Sequence, residues 1–130
     1  MSTKLRLAAL AAAFASVGAV GGAFLHAQTT TTAPAYIIAE LQVTDPDTFK
    51  QYAQALPATF APYKVRTLSR AAPVSLDGST PPAGIVAVFA FNSMDDIKAF
   101  WDSPAYQAII PLRDKSSKSR IYAVQGLPPS

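Results

Sequence analysis

The apolar residues of this chain fall into six segments with one of two periods, and their order limits the possible fold more than any other feature. Residues 36–43, 65–70, 85–91 and 121–125 alternate or are almost continuously apolar, as strands do. Between them, apolar residues after position 46 and after position 93 recur three or four apart, as in amphipathic helices. The order is β-α-β-β-α-β, which predicts an α+β domain.

Capping residues mark where the predicted helices begin. Asp45, Ser93 and Ser103 each stand before a helical pattern, and proline follows two of them at the first helical position. Pro111 is predicted to bend or end the last helix. The basic run at residues 113–120 is predicted to be a solvated helix end, with contact to an anionic membrane or phosphate as the alternative.

Two β-α-β halves in this order fit a ferredoxin-like sandwich, with a four-stranded antiparallel sheet and both helices on one face. The other sheet face carries Tyr36, Ile38, Glu40 and Gln42 from the first strand, a row too apolar for water and too polar for a closed core. A second copy packed sheet to sheet, with a cavity between the copies, fits this mixture. The sequence therefore predicts a homodimer.

The N-terminus has the pattern of a targeting segment. Lys4 and Arg6 precede an uncharged apolar run at residues 7–25, and Ala27 is a small residue suited to cleavage. We expect a Sec signal peptide and a periplasmic or secreted protein without stable membrane association. The alternative is an uncleaved inner-membrane anchor, because the run is just long enough to span a bilayer. The predicted organisation is a signal peptide at 1–27, a flexible lead at 28–35, the folded domain at 36–127 and a tail at 128–130.

Composition excludes several classes of function. The chain has no Cys, and its single His, His26, lies in the predicted signal peptide. Disulfide scaffolds, thiolate metal sites and His-dependent catalysis are therefore excluded for the mature protein, and no metal or cofactor is expected. The net charge of +3 includes Lys4 and Arg6, so the remainder is nearly neutral and no nucleic-acid partner is expected.

The remaining candidate ligand-binding residues are Tyr36, Glu40, Arg66, Arg70 and Tyr122. Glu40 is the only Glu in the chain. One prediction is that Glu40 pairs with Arg66 or Arg70, for example as an ion pair at the dimer interface. The other is that its pKa is raised, so that it acts as a general base. Strand alternation places Arg66 and Arg70 on one face, where they could clamp an anion or simply protect an edge strand.

Several short motifs resemble a known bacterial family. They are Val-Thr-Asp-Pro at 43–46 followed by Tyr52, Arg66 with Arg70, Leu-Asp-Gly at 76–78, and Ser-Pro-Ala-Tyr-Gln at 103–107 leading to Pro-Leu-Arg at 111–113. The chain resembles the domain of unknown function 1330 family over residues 36–127. The resemblance implies a dimeric α/β barrel related to small cofactor-free monooxygenases, and it implies no particular activity. Alanine at positions 90 and 105 replaces an acid usual in that family.

Three functions remain open. The first is an exported dimeric module that binds a small molecule between the two sheets. The second is a cofactor-free oxygenase or isomerase in which Glu40 or a tyrosine moves a proton. The third is a structural dimer without a ligand. The missing His disfavours the enzyme and the mixed sheet face disfavours the purely structural role, so the first function is predicted.

Overall fold

The computed structural model describes residues 32–130, which form one antiparallel sheet with helices packed on one side. The strands are β1 (Ala35–Val43), β2 (Arg66–Ala71), β3 (Ile85–Phe91) and β4 (Ser117–Gln125), in the spatial order β2-β3-β1-β4. The helices are α1 (Pro46–Phe60), α2 (Met94–Asp102) and α3 (Pro104–Ser116), and a 3₁₀ turn at Ala61–Tyr63 follows α1. The predicted fold is confirmed. The predicted signal peptide and half of the predicted lead, residues 28–31, lie outside the described residues. The last residue of the predicted lead, Ala35, belongs to β1 and is fully buried.

The three predicted caps are present. Asp45, Ser93 and Ser103 each accept a hydrogen bond from the backbone N–H three residues later, at 3.2, 3.0 and 3.3 Å. Each cap satisfies an N–H that the first helical turn leaves without a partner. No helix within residues 32–130 is long and apolar enough to cross a membrane.

The end of the second helical region differs from the prediction. Helix α3 continues through Pro111 to Ser116, and β4 begins at the next residue. Proline removes one hydrogen bond, but packing against the core holds the rest of the helix. The basic run is a solvated helix end only at Lys115, because Arg113 is buried in α3 and Arg120 lies in β4.

Strand alternation separates a closed face of the sheet from an open one. Alternate residues of β1, from Ala35 to Leu41, are buried against the helices. Aromatic rings fill the space above them, with centroids 5.4 Å apart for Phe91 and Phe100 and 4.3 Å apart for Phe100 and Tyr106. Such tilted contacts add to the stabilisation from apolar burial, so this layer fixes the position of α2 and α3 on the sheet.

Candidate functional site

Four of the five predicted ligand-binding residues lie on the open face of the sheet. Tyr36 and Glu40 occupy the alternate positions of β1 that point away from the helices. Tyr122 is paired with Ile38 of that same row, and Arg66 is opposite Ala90, which is opposite Tyr36. Antiparallel partners share a face, so the sheet brings these side chains to one side.

Arg70 lies on the other face, and the prediction that it accompanies Arg66 is wrong. The register of β2 shifts between Thr67 and Ser69, so Arg70 is opposite Ala87, a residue of the closed face. One extra residue in a strand reverses the alternation beyond it. The two arginines therefore form no clamp, and Arg70 instead lines a cleft beside α1.

Glu40 has partners that the sequence analysis did not identify. Nη2 of Arg120 donates to both carboxylate oxygens at 2.7 and 3.0 Å, Nε donates to Oε1 at 3.1 Å, and the Tyr122 hydroxyl donates to Oε2 at 2.9 Å. The predicted pairing with Arg66 or Arg70 is thus wrong within the chain. Because β4 begins earlier than predicted, Arg120 becomes the cross-strand neighbour of Glu40.

These contacts also change the acidity of Glu40. The hydrogen bond from Arg120, assisted by the one from Tyr122, lowers the pKa of Glu40 and outweighs the opposing effect of burial. The expected raised pKa is wrong for the single chain. A carboxylate that already accepts four hydrogen bonds and has a lowered pKa is poorly suited to act as a general base.

The rest of the open face is largely apolar. Ile38, Val86 and Val88 are half-buried in its centre. Val124, which is opposite Tyr36, flanks them with 46% of its surface exposed. Within residues 32–130 this face is thus partly exposed, and an apolar patch of this kind is typical of an interface.

A second polar cluster is buried between the sheet and the helices, and we call it the phenol cluster. It consists of Tyr52 from α1 and Tyr106 and Arg113 from α3, each at most 7% exposed. The two hydroxyl oxygens are 3.2 Å apart, and Nη1 of Arg113 donates to the Tyr106 oxygen at 2.8 Å. The sequence analysis missed this cluster because it placed Arg113 in a solvated helix end. The seven-residue spacing of Tyr106 and Arg113, two helical turns, is the signal that could have revealed it.

Arg113 has few counter-charges for a buried cation. Its carboxylate partner is the adjacent Asp114, at 3.0 Å, whose side chain is 58% exposed. The guanidinium also lies 5.7 Å from the centre of the Trp101 ring, a cation–π contact. Burial opposes the charge of Arg113, but Tyr106, Asp114 and Tyr52 together outweigh it, and the pKa of Arg113 is raised. The phenol cluster therefore carries a permanent positive charge beneath the helices.

The main apolar pocket of interest lies next to this cluster, and we call it the outer pocket. It has a volume of about 260 Å³ and lies between α2 and β4, with mostly apolar walls that include Ile97, Trp101 and Ile121. A much smaller inner space, of about 20 Å³, is lined by Tyr52 and Tyr106. Ile37, Trp101 and Ile121 line both, so the two spaces are adjacent. Of the predicted residues, Tyr122 alone lines the outer pocket.

The metal-binding capacity of the described residues is low. Residues 32–130 contain no group of three or more His, Cys, Asp or Glu side chains placed to hold a metal ion. The described site offers apolar walls, tyrosine hydroxyls, arginine guanidinium groups and the separate charges of Lys98 and Asp102.

Solved structures with this fold include proteins of several descriptions. RPA0582, a protein of unknown function from Rhodopseudomonas palustris, is 15% identical, with 85% of this chain and 94% of that chain covered and a TM-score of 0.56. SnoaB, a cofactor-independent oxygenase from Streptomyces nogalater, is 12% identical, with 75% and 97% covered and a TM-score of 0.54. A dimeric ferredoxin-like protein of unknown function from Thermobifida fusca is 20% identical, with 77% and 96% covered and a TM-score of 0.50. At these identities the likeness shows the fold alone.

The family comparison is more specific. No curated protein matches the chain significantly. The model of the family described as domain of unknown function, DUF1330, matches residues 34–127. This match spans the whole sheet, all three helices and both tyrosine–arginine clusters, and it confirms the resemblance found in the sequence. The chain belongs to the DUF1330 family.

Proposed function

We propose that the protein binds a small, largely apolar molecule in the outer pocket. The observation that carries this proposal is the pocket itself, which keeps about 260 Å³ open beside Trp101 although the neighbouring core is filled with aromatic rings. Ligand sites are typically concave and apolar, with a few polar groups that orient the ligand. Lys98 and Asp102 supply charge at the walls of this pocket, and the phenol cluster lies behind it.

Filling the outer pocket tests this proposal. Ala123 lines the pocket, so Ala123→Phe should abolish binding of a small aromatic probe, whereas Ala108→Phe on the exposed surface of α3 should not. Trp101 is the only Trp in the chain, so quenching or shifting of its fluorescence reports occupancy directly. Equal binding by the parent and Ala123→Phe would place the ligand elsewhere, including the predicted cavity between two sheets.

The proposal includes a homodimer formed through the open face. The apolar centre of that face supports it, and so does the description of a protein of the same fold as dimeric. Val124→Lys puts a charge on this face and should convert a dimer to a monomer in sedimentation experiments. Val74→Lys, which changes an equally apolar but 82% exposed residue of the β2–β3 loop, is the control. A wild-type protein that sediments as a monomer at micromolar concentration would overturn the dimer.

Export is also part of the proposal and rests on the pattern of residues 1–27. N-terminal sequencing of protein from the cell envelope should find a chain that begins near Gln28. A chain that begins at Met1 and stays with the membrane would support the anchor instead.

A cofactor-free oxygenase or isomerase is the second candidate function. It is favoured by the description of SnoaB as a cofactor-independent oxygenase and by the two tyrosine hydroxyls beside the outer pocket. Oxygen uptake with an electron-rich phenol as substrate, and its loss in Ala123→Phe, would support this candidate. Glu40 has no role in it, since its carboxylate is occupied by Arg120 and Tyr122 on the opposite face of the sheet.

A further inference from the structure

The phenol cluster contains one hydroxyl hydrogen for which it offers no hydrogen-bond acceptor. Tyr52 and Tyr106 each have one hydroxyl hydrogen, and a single hydrogen bond joins their oxygens. Arg113 adds another donor to the Tyr106 oxygen and can accept nothing. Arg113 also acts on Tyr52 as a hydrogen-bond donor, which opposes the rise in the pKa of Tyr52. Since Arg113 supplies no acceptor to either hydroxyl, one phenol hydrogen has no acceptor within residues 32–130.

The unused hydrogen belongs to Tyr52. The charged Arg113 donates to the oxygen of Tyr106, which polarises that hydroxyl and makes it the better donor of the pair. Tyr106 therefore donates to Tyr52, and the hydrogen of Tyr52 is free to turn towards the inner space that its side chain lines.

The inner space admits one atom of an acceptor but no ring. A volume of about 20 Å³ is close to the minimum that holds a single water-sized group. The outer pocket, which shares three wall residues with the inner space, is more than ten times larger and mostly apolar. The geometry thus combines room for an apolar ring system with room for one projecting oxygen.

We propose that the ligand of the outer pocket carries a carbonyl or enolate oxygen, and that this oxygen enters the inner space and accepts the hydrogen of Tyr52. This inference rests on the proposed function, and it specifies the chemical class of the ligand. Burial, together with Tyr106, raises the pKa of Tyr52 well above its usual range, so this hydroxyl remains a donor at all physiological pH values. Arg113 acts through Tyr106 as a positioning residue and stabilises negative charge that develops on the bound oxygen.

Two isosteric probes test the inference in the intact protein. Acetophenone and α-methylstyrene have nearly the same shape, but only acetophenone carries an acceptor oxygen. The wild-type protein should bind acetophenone about fivefold more tightly, the equivalent of one ordinary net hydrogen bond. Tyr52→Phe should remove most of this preference and leave the affinity for α-methylstyrene within about twofold. The dissociation constants follow from titrations of Trp101 fluorescence, confirmed by NMR.

Further variants separate the possible failures. Tyr63→Phe removes a hydroxyl that lies outside the phenol cluster, on a ring that packs on Phe100, and should keep the full preference. The double variant Tyr52→Phe/Tyr106→Phe should abolish the preference if Tyr106 partly replaces Tyr52. Equal binding of both probes by the wild type, which a water in the inner space would produce, overturns the inference and leaves the proposed pocket standing. Binding of neither probe overturns the pocket as well.

Discussion

The two faces of the sheet each carry a tyrosine–arginine cluster, and the two clusters differ in hydrogen-bond balance. On the open face, Glu40 accepts hydrogen bonds from Arg120 and Tyr122, and the Arg120 side chain is 72% exposed. On the closed face, Arg113 and the two tyrosines are buried, and their carboxylate partner, Asp114, lies at the surface.

The balance of hydrogen-bond donors and acceptors decides what each cluster can do. A carboxylate provides acceptors for all the donors that meet it, so the open-face cluster is chemically satisfied and suited to holding strands or copies together. Three donors that share two phenol oxygens leave one hydrogen unused, so the closed-face cluster is suited to a ligand that brings an acceptor. The proposed function therefore depends on the buried cluster more than on Glu40.

The largest expected effect separates the two arginines. Arg113→Met should lower the free energy of unfolding by about 2 kcal/mol, because a buried hydrogen bond to Tyr106 and the contact with Trp101 are both lost. Arg120→Met should lower it by clearly less, since the Arg120 side chain is mostly in water. Urea denaturation of both variants measures the difference. Similar losses for both arginines would remove the contrast between the clusters.

A smaller effect separates the two buried tyrosines. Tyr106→Phe should cost about 1.5 kcal/mol, because it leaves the Nη1 hydrogen of the buried Arg113 without an acceptor. Tyr52→Phe should cost less, about 1 kcal/mol, because the donor that it leaves without an acceptor is the neutral hydroxyl of Tyr106 rather than a charged guanidinium. Thermal unfolding of the two variants compares them. A larger cost for Tyr52→Phe would show that Tyr52 holds an acceptor within the protein itself.

The smallest expected effect concerns pH and Glu40. Its pKa is lowered in the folded chain from the ordinary value of 4.5, so the contribution of its charge to stability is present above that value. This contribution is lost as the pH falls through the lower folded value. Glu40→Gln should therefore be less stable than the wild type at pH 7, and the difference should shrink below pH 4.5. A difference that does not change with pH would show that Glu40 contributes through shape alone.

The sequence predicted helices and strands well where their formation depends on residues close together in the chain. Asp45, Ser93 and Ser103 each form the expected cap, because capping involves residues only three apart. The central strand β3 has the predicted bounds, because a short, continuous apolar run is typical of a buried strand. The end of α3 was predicted less well, because the cost of Pro111 is offset by packing that local rules do not include.

The site was predicted less completely, and the reason is register. A bulge in β2 moved Arg70 to the closed face, and an earlier start of β4 brought Arg120 to Glu40. Neither shift leaves a mark in the spacing of apolar residues near it. The buried cluster was missed because Arg113 belongs to a basic run, and the composition of such a run predicts that its side chains are exposed to solvent.

The sequence by itself determined the order of strands and helices, the caps, the alternation that divides β1 into two rows, and membership of the family. These follow from interactions between residues close in the chain, or from motifs of fixed spacing. Tertiary structure alone decided which charges meet, since Glu40 and Arg120 or Tyr52 and Tyr106 are brought together only by strand register and helix packing. It also decided that Arg113 is buried, because helix packing brings the Tyr106 hydroxyl and the Trp101 ring to a guanidinium that would otherwise be costly to bury.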